Sequence, residues 1–354
     1  MKKFLLHIML IVLPVLLQAQ DPIYTLSYEH KSFLNPSLIG RDGAGKLRTA
    51  MVHRNLFRPL YGPVHNTSAA FDYSFCNSIF ALGLNVSNET QGNNFYMTNL
   101  VSGIVGIRRN LSNHWTANAG LSFGLIQQNV DWNEFVFSDQ LHPIFGAIYQ
   151  SSNDQMKINS NLSPDIGFGF DFTNYNQGKN GSRNALNIGF AFQHITNNTS
   201  IGLFNDYILP RRYTGHFSWI HRKNPNTIAQ SFQVSGRYDR QLFSNHVLLR
   251  GDYAFKDELS LGLGVRSAVS GQTNLIAPLF HCALSLTEQI NFHFSYEASI
   301  GGSKFSNAGN TFELGIIMRT KDAYCLMNGG IMKGNGRGRM ICPVFNKTKA
   351  APSF

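Results

Sequence analysis

A two-residue hydrophobic period, sustained over most of the chain, is the feature that most limits what this sequence can fold into. In residues 115–126 the odd positions are Trp115, Ala117, Ala119, Leu121, Phe123 and Leu125, and the even ones Thr116, Asn118, Gly120, Ser122 and Gly124. Successive strand side chains point to opposite faces, so one face is greasy and the other small or polar. The stretch has the length, roughly 9–11 residues, that a tilted strand needs to cross hydrocarbon. Residues 165–172 repeat the pattern, with Ile166, Phe168, Phe170 and Phe172 against Asp165, Gly167, Gly169 and Asp171. Residues 259–267 set Leu259, Leu261, Leu263 and Val265 against Ser260, Gly262, Gly264 and Arg266.

Fourteen such stretches follow one another: 47–53, 67–75, 80–87, 97–107, 115–126, 165–172, 186–193, 213–222, 232–238, 247–253, 259–267, 280–286, 290–296 and 311–318. Their apolar faces carry almost no charge, whereas the polar faces hold Asp, Arg, Asn, His and Gly. Only 14% of the residues are charged, against about 25% in ordinary soluble proteins. A soluble sandwich would mix its faces more. The pattern therefore predicts an all-β fold, a transmembrane antiparallel β-barrel of about 14 strands, an even number as bacterial barrels require.

Residues 1–19 read as a secretory signal peptide: Lys2 and Lys3, an apolar run, then Leu17-Gln18-Ala19. Pro14 and the shortness of the run argue against a membrane anchor. Residues 20–46 carry Asp21-Pro22, Asn35-Pro36 and Arg41-Asp42-Gly43, all turn or breaker signals, and read as a periplasmic lead-in to the barrel at 47–318. An insert at 131–163, with Trp132 and Asp139, is expected to be a long extracellular loop or a plug-like element. Residues 319–354 read as a basic, Gly-rich periplasmic tail. The formal charge is +10. For an exported chain it points to anionic lipid or an acidic partner and not to nucleic acid.

There is no H-E-x-x-H, no G-x-S-x-G and no phosphate-binding Gly loop. The histidines, among them His194, His216, His281 and His293, show no spacing that suggests one site. No catalytic, cofactor-binding or metal-ligating set is expected, and no enzyme activity. Of the four cysteines, Cys76 and Cys282 fall in strand-like stretches, while Cys325 and Cys342 share the tail and form a possible disulfide in an oxidising compartment. Were the barrel a diffusion channel or transporter, Arg237, Arg250 and Arg266 would line an anion-favouring lumen.

An ordered series of short motifs resembles the PorP/SprF family of Bacteroidota. Asn35-Pro36-Ser37-Leu38-Ile39-Gly40 and His53-Arg54-Asn55-Leu56-Phe57 resemble its opening Asn-Pro-Ala-x-x-Gly and Tyr-Arg-Asn-Gln-Trp, with Leu56-Phe57 in place of Gln-Trp. The Trp132 to Gln140 run resembles its mid-chain motif. Pro210-Arg211-Arg212-Tyr213, Ser295-Tyr296-Glu297, Phe312-Glu313-Leu314 and Cys342-Pro343-Val344-Phe345 continue the series. The resemblance implies a non-enzymatic outer-membrane component of the type IX secretion system that helps a partner protein, such as a gliding adhesin, reach or stay on the cell surface. The implied partners are a secreted adhesin C-terminal domain and periplasmic-ring or peptidoglycan-linked subunits. Asn35, Pro36, Gly40, Arg54, Asn55, Trp132, Asp139, Cys342 and Pro343 are the residues on which partner-binding or structural roles are expected.

Overall fold

The computed structural model describes residues 21–320 apart from 57–61, 76–78, 93–94, 132–139, 143, 148–159, 178–181, 197–198, 201–206, 224–229, 256–257, 271–272 and 301–309, and in addition 323–327 and 330–334. Fourteen strands form one closed barrel. In chain order they are β1 (Leu47–Leu56), β2 (Val64–Ser74), β3 (Phe80–Gln91), β4 (Tyr96–Asn110), β5 (Trp115–Val130), β6 (Ser160–Gln177), β7 (Arg183–Gln193), β8 (Arg212–Arg222), β9 (Gln230–Gln241), β10 (Ser244–Phe255), β11 (Leu259–Ser270), β12 (Thr273–Ser285), β13 (Ile290–Glu297) and β14 (Thr311–Arg319). Each pairs antiparallel with the next, and β14 closes the ring on β1, from Arg48↔Arg319 to Leu56↔Thr311. Closure leaves no strand edge unpaired, the condition for a sheet to face lipid.

The usual relation between polarity and burial is inverted. Phe123, Leu121 and Leu82 are 53%, 49% and 46% exposed, whereas Arg48, Glu313 and Asp171 are fully buried. Exposed apolar side chains recur on nearly every strand, which makes a girdle suited to hydrocarbon rather than water. No helix among the described residues is long and apolar enough to cross a membrane; this chain crosses with strands. β5 and β6 run further than the apolar period predicts, to 16 and 18 residues. In their extensions Gln127, Gln128 and Asn129 pair with Leu162, Asn161 and Ser160, polar on all positions but Leu162.

The two ends of the barrel differ. At the end where β1 begins and β14 finishes, connections are short, as at 111–114 and 286–289. At the other end three pairs of successive strands are separated in sequence by the longer stretches 131–159, 194–211 and 298–310. Short turns mark the periplasmic end of such barrels and long loops the extracellular end.

Two regions depart from the sequence reading. The lead-in does not hang below the barrel: Ile23 to Arg41 enter the lumen and, apart from the half-buried Phe33, every residue there is buried. In the tail, Ala323–Met327 pairs with Gly330–Gly334 as a two-stranded hairpin, with Cys325 opposite Met332. Cys342, Pro343, Trp132 and Asp139 lie outside the described residues, as do Cys76 and most of the 131–163 insert.

Candidate functional site: the filled lumen

The lead-in is rich in turns and holds only one helical turn, Lys31–Leu34, and a 3-10 turn, Pro36–Leu38. Most of its backbone N–H and C=O groups therefore have no partner within the segment, and buried backbone groups must find one. The inward side chains of the strands supply them. Glu313 accepts the N–H groups of Thr25 and Leu26 with its two oxygens, both at 2.8 Å. Arg266 donates to the Ile23 carbonyl at 2.9 Å and Arg250 to that of Thr25 at 3.3 Å. Arg48 holds the Glu29 carbonyl, and Gln193 and Arg212 both donate to that of Phe33 at 3.2 Å. Gly40 gives its N–H to Asp72 at 2.8 Å and takes a bond from Arg108 at 3.0 Å.

Charged side chains of the segment are paired in the same way. Glu29 meets Arg250 at 2.6 Å, and Arg250 also holds Asp252 at 2.8 Å. Lys31 meets Asp42 at 3.0 Å, which Arg48 and Arg319 approach at 3.3 and 3.1 Å. Charges removed from water are tolerated only when paired and hydrogen-bonded, and this network is closed on itself. Arg250 and Arg266 thus bind the segment and the acids beside it; Arg237 bonds Asp239 at 2.8 Å. The three arginines do not line an open anion path.

The segment touches the whole ring. Besides the strands already named, Ser32 bonds Asn85 of β3, Tyr28 bonds backbone carbonyls of β8 and β9, Thr25 bonds Glu297 of β13, and Glu29 lies 3.9 Å from His281 of β12. On β5, a Cβ at Gly120 would collide with the Pro36 carbonyl, so only glycine leaves room there. Three apolar clusters fill the gaps: Tyr24 and Leu26 with Val52; Tyr28 with Leu34 and Leu38; and Ile39 with Ala81 and Ile104. With contacts on all fourteen strands, the segment is a plug.

The expected site residues divide accordingly. Asn35 is the pivot of the Asn35–Gly40 motif. Its Oδ1 accepts from Ser37 N and Oγ at 3.0 and 2.7 Å, capping the 3-10 turn, and its amide donates to Phe170 O and Phe190 O at 3.2 and 3.1 Å. Pro36 starts that turn, where its fixed φ suits the geometry and its missing N–H costs nothing. Gly40 has φ 67, a left-handed conformation that side chains disfavour. Arg54 is buried, 3.2 Å from Glu313 and bonded to Asn66, and Asn55 is half-buried beside Phe312 in register. Asn35, Pro36 and Gly40 fasten plug to wall, and Arg54 braces the wall residue Glu313 that holds Thr25 and Leu26; all four are buried.

Sequence reading missed the wall side of the network. Arg212, Glu297 and Glu313 belong to motifs that carry the family resemblance, and all three grip the plug. It also missed the histidines. His194 lies between Asp21 at 2.6 Å and Asp165 at 3.0 Å at the extracellular mouth. Burial alone would lower its pKa, but the two carboxylates outweigh burial and raise it to about 9. Asp21, which burial would raise, is held at about 2 by His194 and Arg212. The first described residue is thereby latched to the long-loop end. Beside it a cavity of about 80 Å³ is lined by amides and rings including Asn85, Gln128, Gln193, Tyr24 and Phe33.

A closed barrel with an apolar exterior and a lumen filled by its own N-terminal segment is a plugged outer-membrane barrel. The chain belongs to the family described as type IX secretion system membrane protein PorP/SprF, whose model matches residues 16–318. Its place is the outer membrane. No curated protein matches the sequence. Among solved structures it is similar to the CymD monoaromatic hydrocarbon channel (12% identity, 86% of this chain and 93% of that one, TM-score 0.42). It is also similar to the Ralstonia pickettii toluene transporter TbuX (10% identity, 86% and 94%, TM-score 0.42) and to the COG4313 outer membrane channel from Pseudomonas putida F1 (9%, 81% and 99%, TM-score 0.41). At this level the likeness is one of barrel to barrel.

Proposed function

We propose that this protein is a non-enzymatic component of type IX secretion that binds a secreted partner, such as the C-terminal domain of a gliding adhesin, and holds it at the outer membrane in concert with periplasmic-ring or peptidoglycan-linked subunits. The observation that carries the reading is the plug. Its contacts on all fourteen strands and its ion pairs turn the luminal charges inward on each other, which suits a docking scaffold better than a diffusion path. Asp21 and the mouth cavity lie at the end of the barrel where its strands are joined by long stretches, the end where an exported protein would be met.

Two measurements test this. Deletion of the gene is expected to abolish surface display of one adhesin while permeability to small solutes stays normal, and affinity capture from outer membranes is expected to recover that adhesin's C-terminal domain. Unchanged display of every secreted protein would sink the idea. In planar bilayers the intact protein is expected to stay closed, and a variant lacking residues 21–43 to conduct. Steady conductance by the intact protein would favour a channel instead.

A further inference from the structure

Glu29 of the plug, His281 of β12 and His293 of β13 bring one ligating atom each to a single point in the lumen. His281 Nε2 lies 3.3 Å from His293 Nδ1, and Glu29 Oε1 lies 3.9 and 3.8 Å from those two nitrogens. The point equidistant from all three is about 2.1 Å from each, the length of a zinc–nitrogen or zinc–oxygen bond. All three residues are buried.

The surroundings suit a metal. His281 Nδ1 bonds Asp252 Oδ1 at 2.6 Å, which puts the proton on Nδ1 and leaves Nε2 with a lone pair on the side of His293 Nδ1 and Glu29. A carboxylate on the far nitrogen of a ligating histidine is the arrangement that orients such ligands and raises their basicity. The far nitrogen of His293, Nε2, is buried without a hydrogen-bond partner, while its Nδ1 faces His281 Nε2 at hydrogen-bonding distance, a contact that a bound cation would replace by ligating both nitrogens. Glu29 Oε1 accepts from Arg250 at 2.6 Å, and a carboxylate oxygen has a second lone pair to give.

We propose that Glu29, His281 and His293 form a site for a zinc-class divalent cation, with water completing the coordination, and that the ion ties the plug to the hairpin β12–β13. Two imidazoles and one carboxylate are a donor set that zinc favours, and three protein ligands leave a fourth position open. Glu29 lies more than 250 residues from the two histidines in sequence, so the ion would act as a long-range cross-link between the plug and the wall.

The test is metal content of the full protein purified from outer membranes in detergent without chelator, after growth with added zinc. Wild type is expected to hold about one zinc per chain, and E29Q, H281Q and H293Q to lose it, each still showing the gel-mobility shift of a folded barrel on heating. D252N is expected to weaken binding roughly 10–100-fold without removing a ligand. Cobalt-loaded wild type should show the visible absorption of a tetrahedral site, absent in H293Q. Should H281Q not assemble, E29Q alone decides, because Glu29 lies in no strand. A folded wild type with no more zinc than the folded E29Q or H293Q protein overturns the proposal.

Discussion

The two sides of the lumen hold the plug by different physics. Along β10–β14 the contacts are charged and directional: Arg250 with Glu29, Arg266 with the Ile23 carbonyl, Glu297 with Thr25 and Glu313 with two successive N–H groups. Along β3–β6 polar contacts, such as Ser32 with Asn85, Arg108 with the Gly40 carbonyl and Arg41 with Asp171, are joined by contacts of shape. Ala81 and Ile104 receive Ile39, Gly120 lies under Pro36, and Gly169 lies under the Asn35 amide. Charge fixes the register of the segment because a slip by one residue would strand a buried ion. Shape fixes its depth because no larger side chain would let it lie so close to the wall.

The comparison can be broken from either side. The largest effect is expected for Glu313→Ala, which leaves Arg54 and two N–H groups without their partner in the interior and should lower unfolding stability in detergent by about 3–5 kcal/mol. A loss below about 1 kcal/mol would mean that water replaces the carboxylate and that the charged side is less exacting than its geometry. Gly120→Val acts on the other side. It is expected to cost about 1–3 kcal/mol and, by pushing Pro36 off the wall, to raise the protease sensitivity of residues 35–40. Asn35→Ala should be milder, about 1–2 kcal/mol, from loss of the cap and two bonds to strand carbonyls; Asn35→Asp separates the two roles, since it keeps the cap but cannot donate.

The smallest effect is that of pH on the latch at the mouth. His194 is raised, so its contribution is whole below its unfolded pKa of 6.5 and fades as pH climbs through about 9. Asp21 is depressed, so its contribution holds above 3.8 and fades as pH falls toward about 2. Hydrogen exchange at residues 21–24 should be slowest between roughly pH 4 and 6.5 after correction for intrinsic rates, and should quicken toward pH 9, while that of β9–β10 stays flat. An equal response in the strands would place the titration elsewhere.

The wall was legible in the sequence. An uncharged apolar dyad such as Ile166, Phe168, Phe170 and Phe172 has few alternatives to a lipid-facing strand, and counting such stretches yields the fourteen strands that close the ring. The plug was not legible, because its turns at Asp21-Pro22 and Asn35-Pro36 read the same whether a segment is loose or wrapped against a wall. Its partners lie up to 288 residues away, and no local period links Thr25 to Glu313. Some traces were there. His281 and His293 sit on adjacent strands of one hairpin, both on its polar face, with Ala283 opposite His293; pairing that register with the excess of acids and arginines on inward positions would have pointed to an occupied interior. The Trp132 motif and the Cys325–Cys342 pairing remain expectations of the sequence.

The seam between β1 and β14 has a consequence for how the molecule is made. Residues 21–46 run from the outer mouth to the foot of β1, inside a ring whose last pairing joins the two ends of the wall. A ring that zipped shut first would have to admit, through its own bore, a chain whose side chains already have charged partners there. Seating the segment before the last pairing forms avoids that passage. A mutation that hastens closure of the β1–β14 seam is therefore expected to harm assembly while leaving the finished barrel as stable as before.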